Sequence, residues 1–265
     1  MNCIADKKKL PIGFMDSGLG GLSVLREAMK IMPAEDFLYY GDSLHAPYGT
    51  KKQEEIKQLT FDVVEKLLEQ GIKGLVVACN TATSAAVRQL RIMYPDLPIV
   101  GIEPAIKPAV SMSHGGRIVV LATPMTIKQE KFNRLLDLYK DQADIIPVQC
   151  EGLMEFVEQG HLDGEALDTY FEQHLLPYLS DNTESIVLGC THYPFLSPYL
   201  KKFLGNKPIQ LIDGSLGTSC EIKRRLAVKD LLRDEDRIGT VKIQKSLNND
   251  QIIVLSWKLL RLPME

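Results

Sequence analysis

Twice in this chain an apolar run stops at a cysteine, and small polar residues follow it. The first instance is Leu75-Val76-Val77-Ala78-Cys79-Asn80-Thr81 and the second is Ile186-Val187-Leu188-Gly189-Cys190-Thr191-His192. Short apolar runs of this kind read as buried strands, and in both cases a helix is expected to begin just beyond the cysteine. A thiol at such a junction faces unpaired helix N–H groups, and the positive end of the helix dipole favours its thiolate. Two such thiols in two similar stretches suggest a matched pair of acid/base groups working on one substrate.

The rest of the chain alternates strand and helix, which implies a parallel sheet wrapped by helices. Strands are expected at residues 11–15, 37–40 and 75–78. A helix is expected over 51–70, where Ile56, Leu59, Val63 and Leu67 fall at helical spacing and Gly71 is a suitable stop. Another helix is expected over 83–93, with Pro95 and Pro98 punctuating the chain after it. A second cycle starts at residues 118–122, where Thr123-Pro124 is a good N-cap and first-turn pair. It continues through strands at 145–148 and 186–188 and a helical stretch at 164–176. Residues 211–214 read as a further strand end, and 216–232 as a helix that returns to the first domain. The crossings fall near Glu103-Pro104 and Asp213, so the expected division is 1–103 plus 213–265 for one domain and 104–212 for the other.

Composition excludes several classes of function. A chain of 265 residues, 45% hydrophobic and 25% charged, can build two cores. A net charge of −3 argues against nucleic acid as the main partner. No apolar run reaches the roughly 18 residues of a membrane span, and the start, Met1-Asn2-Cys3-Ile4-Ala5-Asp6 followed by three lysines, has no apolar core of a signal peptide. Five dispersed cysteines without a C-x-x-C pair fit a reducing cytoplasm and speak against a metal site.

Taken singly, each cysteine is best read as a small buried hydrophobe. The paired setting reverses that for Cys79 and Cys190, whereas Cys3, Cys150 and Cys220 stay structural. Asp16-Ser17-Gly18-Leu19-Gly20-Gly21 sits where the first strand meets its helix and does not form a dinucleotide fingerprint. It makes a tight turn, and an aspartate there can also hold an ammonium or orient a thiol. The loop 41–49, Gly-Asp-Ser-Leu-His-Ala-Pro-Tyr-Gly, can offer backbone N–H groups to a carboxylate. His192 lies close enough to Cys190 to act as its acid/base partner.

Together these segments, with Gly101-Ile102-Glu103-Pro104 and Leu188-Gly189-Cys190-Thr191-His192-Tyr193-Pro194, resemble the bacterial glutamate racemases of the cofactor-independent aspartate/glutamate racemase group. The resemblance runs from about Ile12 to Asp213. It implies an α/β fold of two pseudo-symmetric three-layer domains with mostly parallel sheets and an active site at their interface. It further implies cytoplasmic, cofactor-free, two-base racemisation that supplies D-glutamate for peptidoglycan. In the resembling family, the residue matching Cys79 acts on the D-enantiomer and the one matching Cys190 on the L-enantiomer. Helper groups carry over to Asp16 and Asp42 on the first side and to Glu158 and His192 on the second. Substrate contacts carry over to Asp16, Ser17, Tyr48, Gly49, Asn80, Thr81, Thr191 and His192. The expected partner is glutamate and the expected assembly is a homodimer, with no membrane partner.

The sequence departs from the family at Glu151, where a proline is usual. Beyond about Gly239 the resemblance fades, and residues 253–260 read as a last strand and helix or as a packing surface for another subunit. Trp257, the only tryptophan, reads as ordinary packing. Alternative functions are racemisation of aspartate or another acidic amino acid, a sibling decarboxylase or isomerase, a non-catalytic binding or regulatory relative, and a thiol-redox protein. The intact cysteine pair weighs against the binding protein, and the lack of C-x-x-C against the redox protein.

Overall fold

A computed structural model of the chain describes residues 4–247 and 249–262. Their strands are β1 (Ile12–Asp16), β2 (Phe37–Gly41), β3 (Gly74–Val77), β4 (Ile99–Gly101), β5 (Arg117–Ala122), β6 (Asp144–Gln149), β7 (Thr183–Leu188), β8 (Gln210–Asp213) and β9 (Val241–Lys245). The chain separates into two compact units, one made of the residues up to Ile102 and from Ser215 onward, the other of Glu103–Gly214.

In the first unit the strand order is β4-β3-β1-β2-β9, and in the second it is β6-β5-β7-β8. All pairings are parallel. Read from the opposite edge, the second order is β8-β7-β5-β6, which repeats β4-β3-β1-β2 strand for strand. Only β9 has no counterpart. Every residue of β1, β2 and β3 is buried, as expected where helices cover both faces of a parallel sheet. Phe14 and Phe37 meet edge to face, with centroids 5.9 Å apart, inside the first core. Ile118, Val120 and Val187 pack with Ala109 and Phe132 in the second.

Local chemistry explains the element ends. The helix Gln53–Glu69 buries Ile56, Val63 and Leu67 and stops at Gly71, whose φ of +74° costs a glycine little. Thr123 caps the helix Pro124–Lys128 by accepting a hydrogen bond from Thr126 N at 3.3 Å. Glu35 and Lys73 form an ion pair with both side chains almost wholly buried, and Glu35 also accepts from Arg233 N at 2.7 Å.

Several expectations need correction. The helix after the first cysteine spans Asn80–Met93, not 83–93, because Cys79 is itself the N-cap. No α-helix directly follows the second cysteine. Pro194 cannot donate back to Cys190 O, so Tyr193 N does so at 3.1 Å, closing a tighter turn over Tyr193–Leu196 before the helix Ser197–Leu204. The strands β4 and β9 went unanticipated: one has three residues squeezed between prolines, and the other is an edge strand with lysines in an alternating pattern. Residues 253–260 belong wholly to the helix Asp250–Arg261. Trp257 on that helix is only half-buried, with the Arg261 guanidinium 5.5 Å from its ring. Cys220 is exposed rather than buried, and Cys3 lies outside the described residues.

Candidate active site

Because β1, β2 and β3 are parallel and in register, with Asp16 opposite Gly41 and Met15 opposite Val77, their carboxyl ends finish along one edge. Ligands bind at such edges in open α/β sheets. The turn after Asp16, the loop after Gly41 and Cys79 are therefore brought together in the first unit. The Cys79 sulfur accepts from Ala82 N at 3.5 Å, and its thiol lies 3.6 Å from Ser17 Oγ. A helix N-terminus thus donates to this sulfur, and the thiol in turn donates to the Ser17 hydroxyl.

Asp16 is completely buried, and its Oδ2 accepts from Gly18 N at 2.9 Å and from the Tyr39 hydroxyl at 3.4 Å. Asp42 is nearly as buried; it accepts from the Tyr48 hydroxyl at 2.7 Å and lies 2.9 Å from His45 Nδ1. Burial, reinforced by Asp42, pushes the Tyr48 hydroxyl far above the ordinary tyrosine range, so it stays a donor. Gly49 follows in the short turn Tyr48–Thr50. Asn80 and Thr81 are buried in the first turn after Cys79, and the Asn80 amide oxygen has no hydrogen-bond partner. An unpaired buried acceptor is costly, and a bound N–H donor would relieve the cost.

The second unit builds its own group. Cys190 follows β7, the neighbour of the central strand β5, just as Cys79 follows β3 beside β1. The Cys190 sulfur lies 3.6 Å from His192 Nδ1, and His192 Nε2 lies 2.7 Å from Glu158 Oε1. Glu158 ends the helix Leu153–Glu158, which Gly152 starts from a left-handed φ of +81°. Burial opposes charge on His192, but Cys190 and Glu158 outweigh it and hold the imidazole pKa well above its usual value. Thr191 is buried beside them. The neighbouring Cys150 thiol is pushed up to about 12 by burial, which keeps it protonated and inert.

Asp16, Ser17, Asp42, Tyr48, Gly49, Cys79, Asn80 and Thr81 thus gather in one unit, and Glu158, Cys190, Thr191 and His192 in the other. Sequence reasoning missed Tyr39, whose hydroxyl donates to Gly18 O at 2.9 Å, and Lys245, whose amine donates to the same oxygen at 2.7 Å. It also missed Tyr193, which donates to Cys150 O at 3.1 Å. The short run Val241-Lys242-Ile243-Gln244-Lys245 carried the one available signal, a lysine closing a period-two pattern.

The profile of the Asp/Glu/hydantoin racemase family matches residues 12–216. The chain belongs to that family. Among similar members, a glutamate racemase of Clostridium botulinum is 54% identical over 249 residues, covering 94% of this chain and 96% of its own. One from Clostridium novyi is 53% identical, with 96% and 98% covered. Among solved structures, a glutamate racemase from Bacillus anthracis superposes with a TM-score of 0.85 at 30% identity, covering 97% of this chain and 96% of its own. The enzyme from Francisella tularensis in complex with D-glutamate gives 0.82 at 26% identity, with 97% and 96% covered. The paired α/β architecture described above is therefore that of glutamate racemases. Among the described residues, no helix is long and apolar enough to cross a membrane.

Proposed function

We propose that this member of the Asp/Glu/hydantoin racemase family interconverts L- and D-glutamate, with one cysteine serving each face of the α-carbon. One observation carries the reading: two buried cysteines stand at equivalent places in two repeated sheets, each with its own distinct polar partners. The glutamate racemases similar over nearly the whole chain, and the D-glutamate complex of one neighbour, supply the substrate.

In the D-to-L direction the Cys79 thiolate takes the α-proton and the C–H electron pair stays on carbon. The Cys190 thiol then donates its proton to the opposite face. The reverse direction exchanges the roles, and each turnover moves one proton onto one sulfur and one off the other. Such a carbanion is stabilised by preorganised donors and a water-poor surround. Asp16 and Asp42 serve as helpers around Cys79, and His192 with Glu158 around Cys190. His192, whose imidazole pKa Cys190 and Glu158 hold above its usual value, can hand its own proton to the Cys190 sulfur after that sulfur has given one to the substrate. Asn80 offers its unpaired oxygen to the substrate ammonium; Ser17, Tyr48, Gly49, Thr81 and Thr191 supply the remaining polar contacts. The product D-glutamate would feed peptidoglycan synthesis. Free thiols at each described cysteine suit the cytoplasm, and we take the working assembly to be a homodimer.

The test is polarimetry or circular dichroism on L-glutamate incubated with the protein, repeated from D-glutamate. Decay of both signals to zero supports the proposal. Decay with aspartate alone transfers it to that substrate, and no decay with reduced, folded protein overturns it.

A further inference from the structure

The strand without a counterpart in the second sheet, β9, ends beside the Cys79 group. Lys245 closes it and is paired in register with Gly41, the last residue of β2. Its amine donates to Gly18 O at 2.7 Å and lies 4.9 Å from the Tyr39 ring centroid. The Tyr39 hydroxyl donates to the same carbonyl at 2.9 Å and reaches Asp16 Oδ2 at 3.4 Å. Gly18 N closes the figure by donating to Asp16 Oδ2 at 2.9 Å. One carbonyl therefore takes an ammonium and a phenol together, and the turn that carries Asp16 and Ser17 is pinned by two residues that both follow it in sequence.

The next residue does the same for the neighbouring loop. Ser246 Oγ accepts from Leu44 N at 2.9 Å, and Ser246 N donates to Gly41 O at 3.1 Å. Gly41 leaves the space this needs: a β-carbon there would collide with both Gly18 O and the Lys245 amine. A flexible lysine held over an aromatic ring and bonded to a backbone carbonyl is an ordered cation, whose side-chain entropy has been given up for a fixed place.

We infer that Lys245 is a positioning residue for the proton transfer at Cys79, acting through Gly18 and Tyr39 to hold the Asp16–Ser17 turn against the Cys79 sulfur. The inference rests on the glutamate racemase reading above and adds an unequal element to its two halves. Ser17 lies 3.6 Å from that sulfur, so a small shift of the turn changes the environment of one base and leaves Cys190 as it was.

The unequal effect can be read out. The two enantiomers are equally stable, so kcat/KM must fall equally in both directions for any variant. The primary isotope effects need not follow suit. With α-deuterated D-glutamate the label is removed in the Cys79 step; with α-deuterated L-glutamate it is removed in the Cys190 step.

The experiment compares the parent chain with Lys245→Met, which keeps the stem and removes the ammonium, and with Lys242→Met on the exposed part of β9 as control. Lys245→Met should lower kcat/KM by about 10- to 100-fold. It should raise the isotope effect from D-glutamate and reduce that from L-glutamate, while the control stays at parent values. Tyr39→Phe, which removes the other donor to Gly18 O, should move the isotope effects in the same sense and serves should Lys245→Met not fold. Propylamine added to Lys245→Ala should restore part of the lost rate. A parent that racemises glutamate and a variant that matches it, or that slows with both isotope effects changed alike, overturns the clamp alone. A parent without racemase activity overturns the reading beneath it as well.

Discussion

Glu158 lies 2.7 Å from His192 Nε2, at the opposite nitrogen of the imidazole from Cys190. The second cysteine is thus the end of a three-member chain, whereas the first is addressed by a hydroxyl and a helix N-terminus. Replacing Glu158 by Gln removes the charge that sustains the imidazolium and keeps the shape. Racemisation should slow by about 10²-fold, and the alkaline limit of kcat should shift to lower pH in a pH–rate profile. An unchanged profile would remove Glu158 from the relay.

The same group makes stability depend on pH. The His192 pKa is raised on folding, with burial overcome by Cys190 and Glu158. Its contribution is fully present below the unfolded value of about 6.5 and fades as pH rises through the higher folded value. His192→Asn should therefore lose more stability, relative to the parent, at pH 6 than at pH 9. Urea midpoints at the two pH values check the sign.

Cys79→Ala and Cys190→Ala should each abolish racemisation, by about 10³-fold or more in both directions, with melting temperatures near that of the parent. Full turnover by either variant would end the two-base mechanism. Serine in place of either sulfur should leave slow proton abstraction from one face, measurable as solvent deuterium entering only one enantiomer.

Tyr48 donates to the buried Asp42 carboxylate at 2.7 Å. Tyr48→Phe should cost about 1.5–3 kcal/mol of stability, as expected for a hydrogen bond to a charged group, and should lower activity at saturating glutamate. Denaturant unfolding and steady-state kinetics on one preparation separate the two effects.

Glu35 and Lys73 offer a test of the fold away from the chemistry. Burial draws the lysine pKa down and Glu35 holds it up. Glu35→Ala leaves a buried ammonium with no carboxylate opposite it and should destabilise by about 3–5 kcal/mol. Glutamate turnover per folded molecule should be unaltered at low temperature.

The parts of this architecture that were legible in the sequence are those written in local patterns. Continuous apolar runs such as Leu75–Ala78 and Ile186–Leu188 betray strands buried on both faces, and the residues just beyond them fall at sheet edges because parallel strands end together. The misreadings have equally local causes: the helix after Cys79 starts at Asn80, three residues earlier than expected, because the cysteine itself caps it, and Pro194 replaces a helix start with a tight turn. What could not be read was contact set by the order of strands in space. Lys245 and Gly18 are 227 positions apart, and no periodicity links an amine near one end of the chain to a turn near the other. Tyr39 looked like core because its ring is core; only its hydroxyl has a second purpose.

The appended fifth strand also bears on how the protein is made. The sheet that carries Cys190 is encoded without interruption from Glu103 to Gly214 and can close as soon as that stretch has left the ribosome. The sheet that carries Cys79 begins first and finishes last, because β9 must travel back to lie against β2. In a nascent chain the strand that completes the Cys79 sheet is therefore made after the whole of the Cys190 sheet.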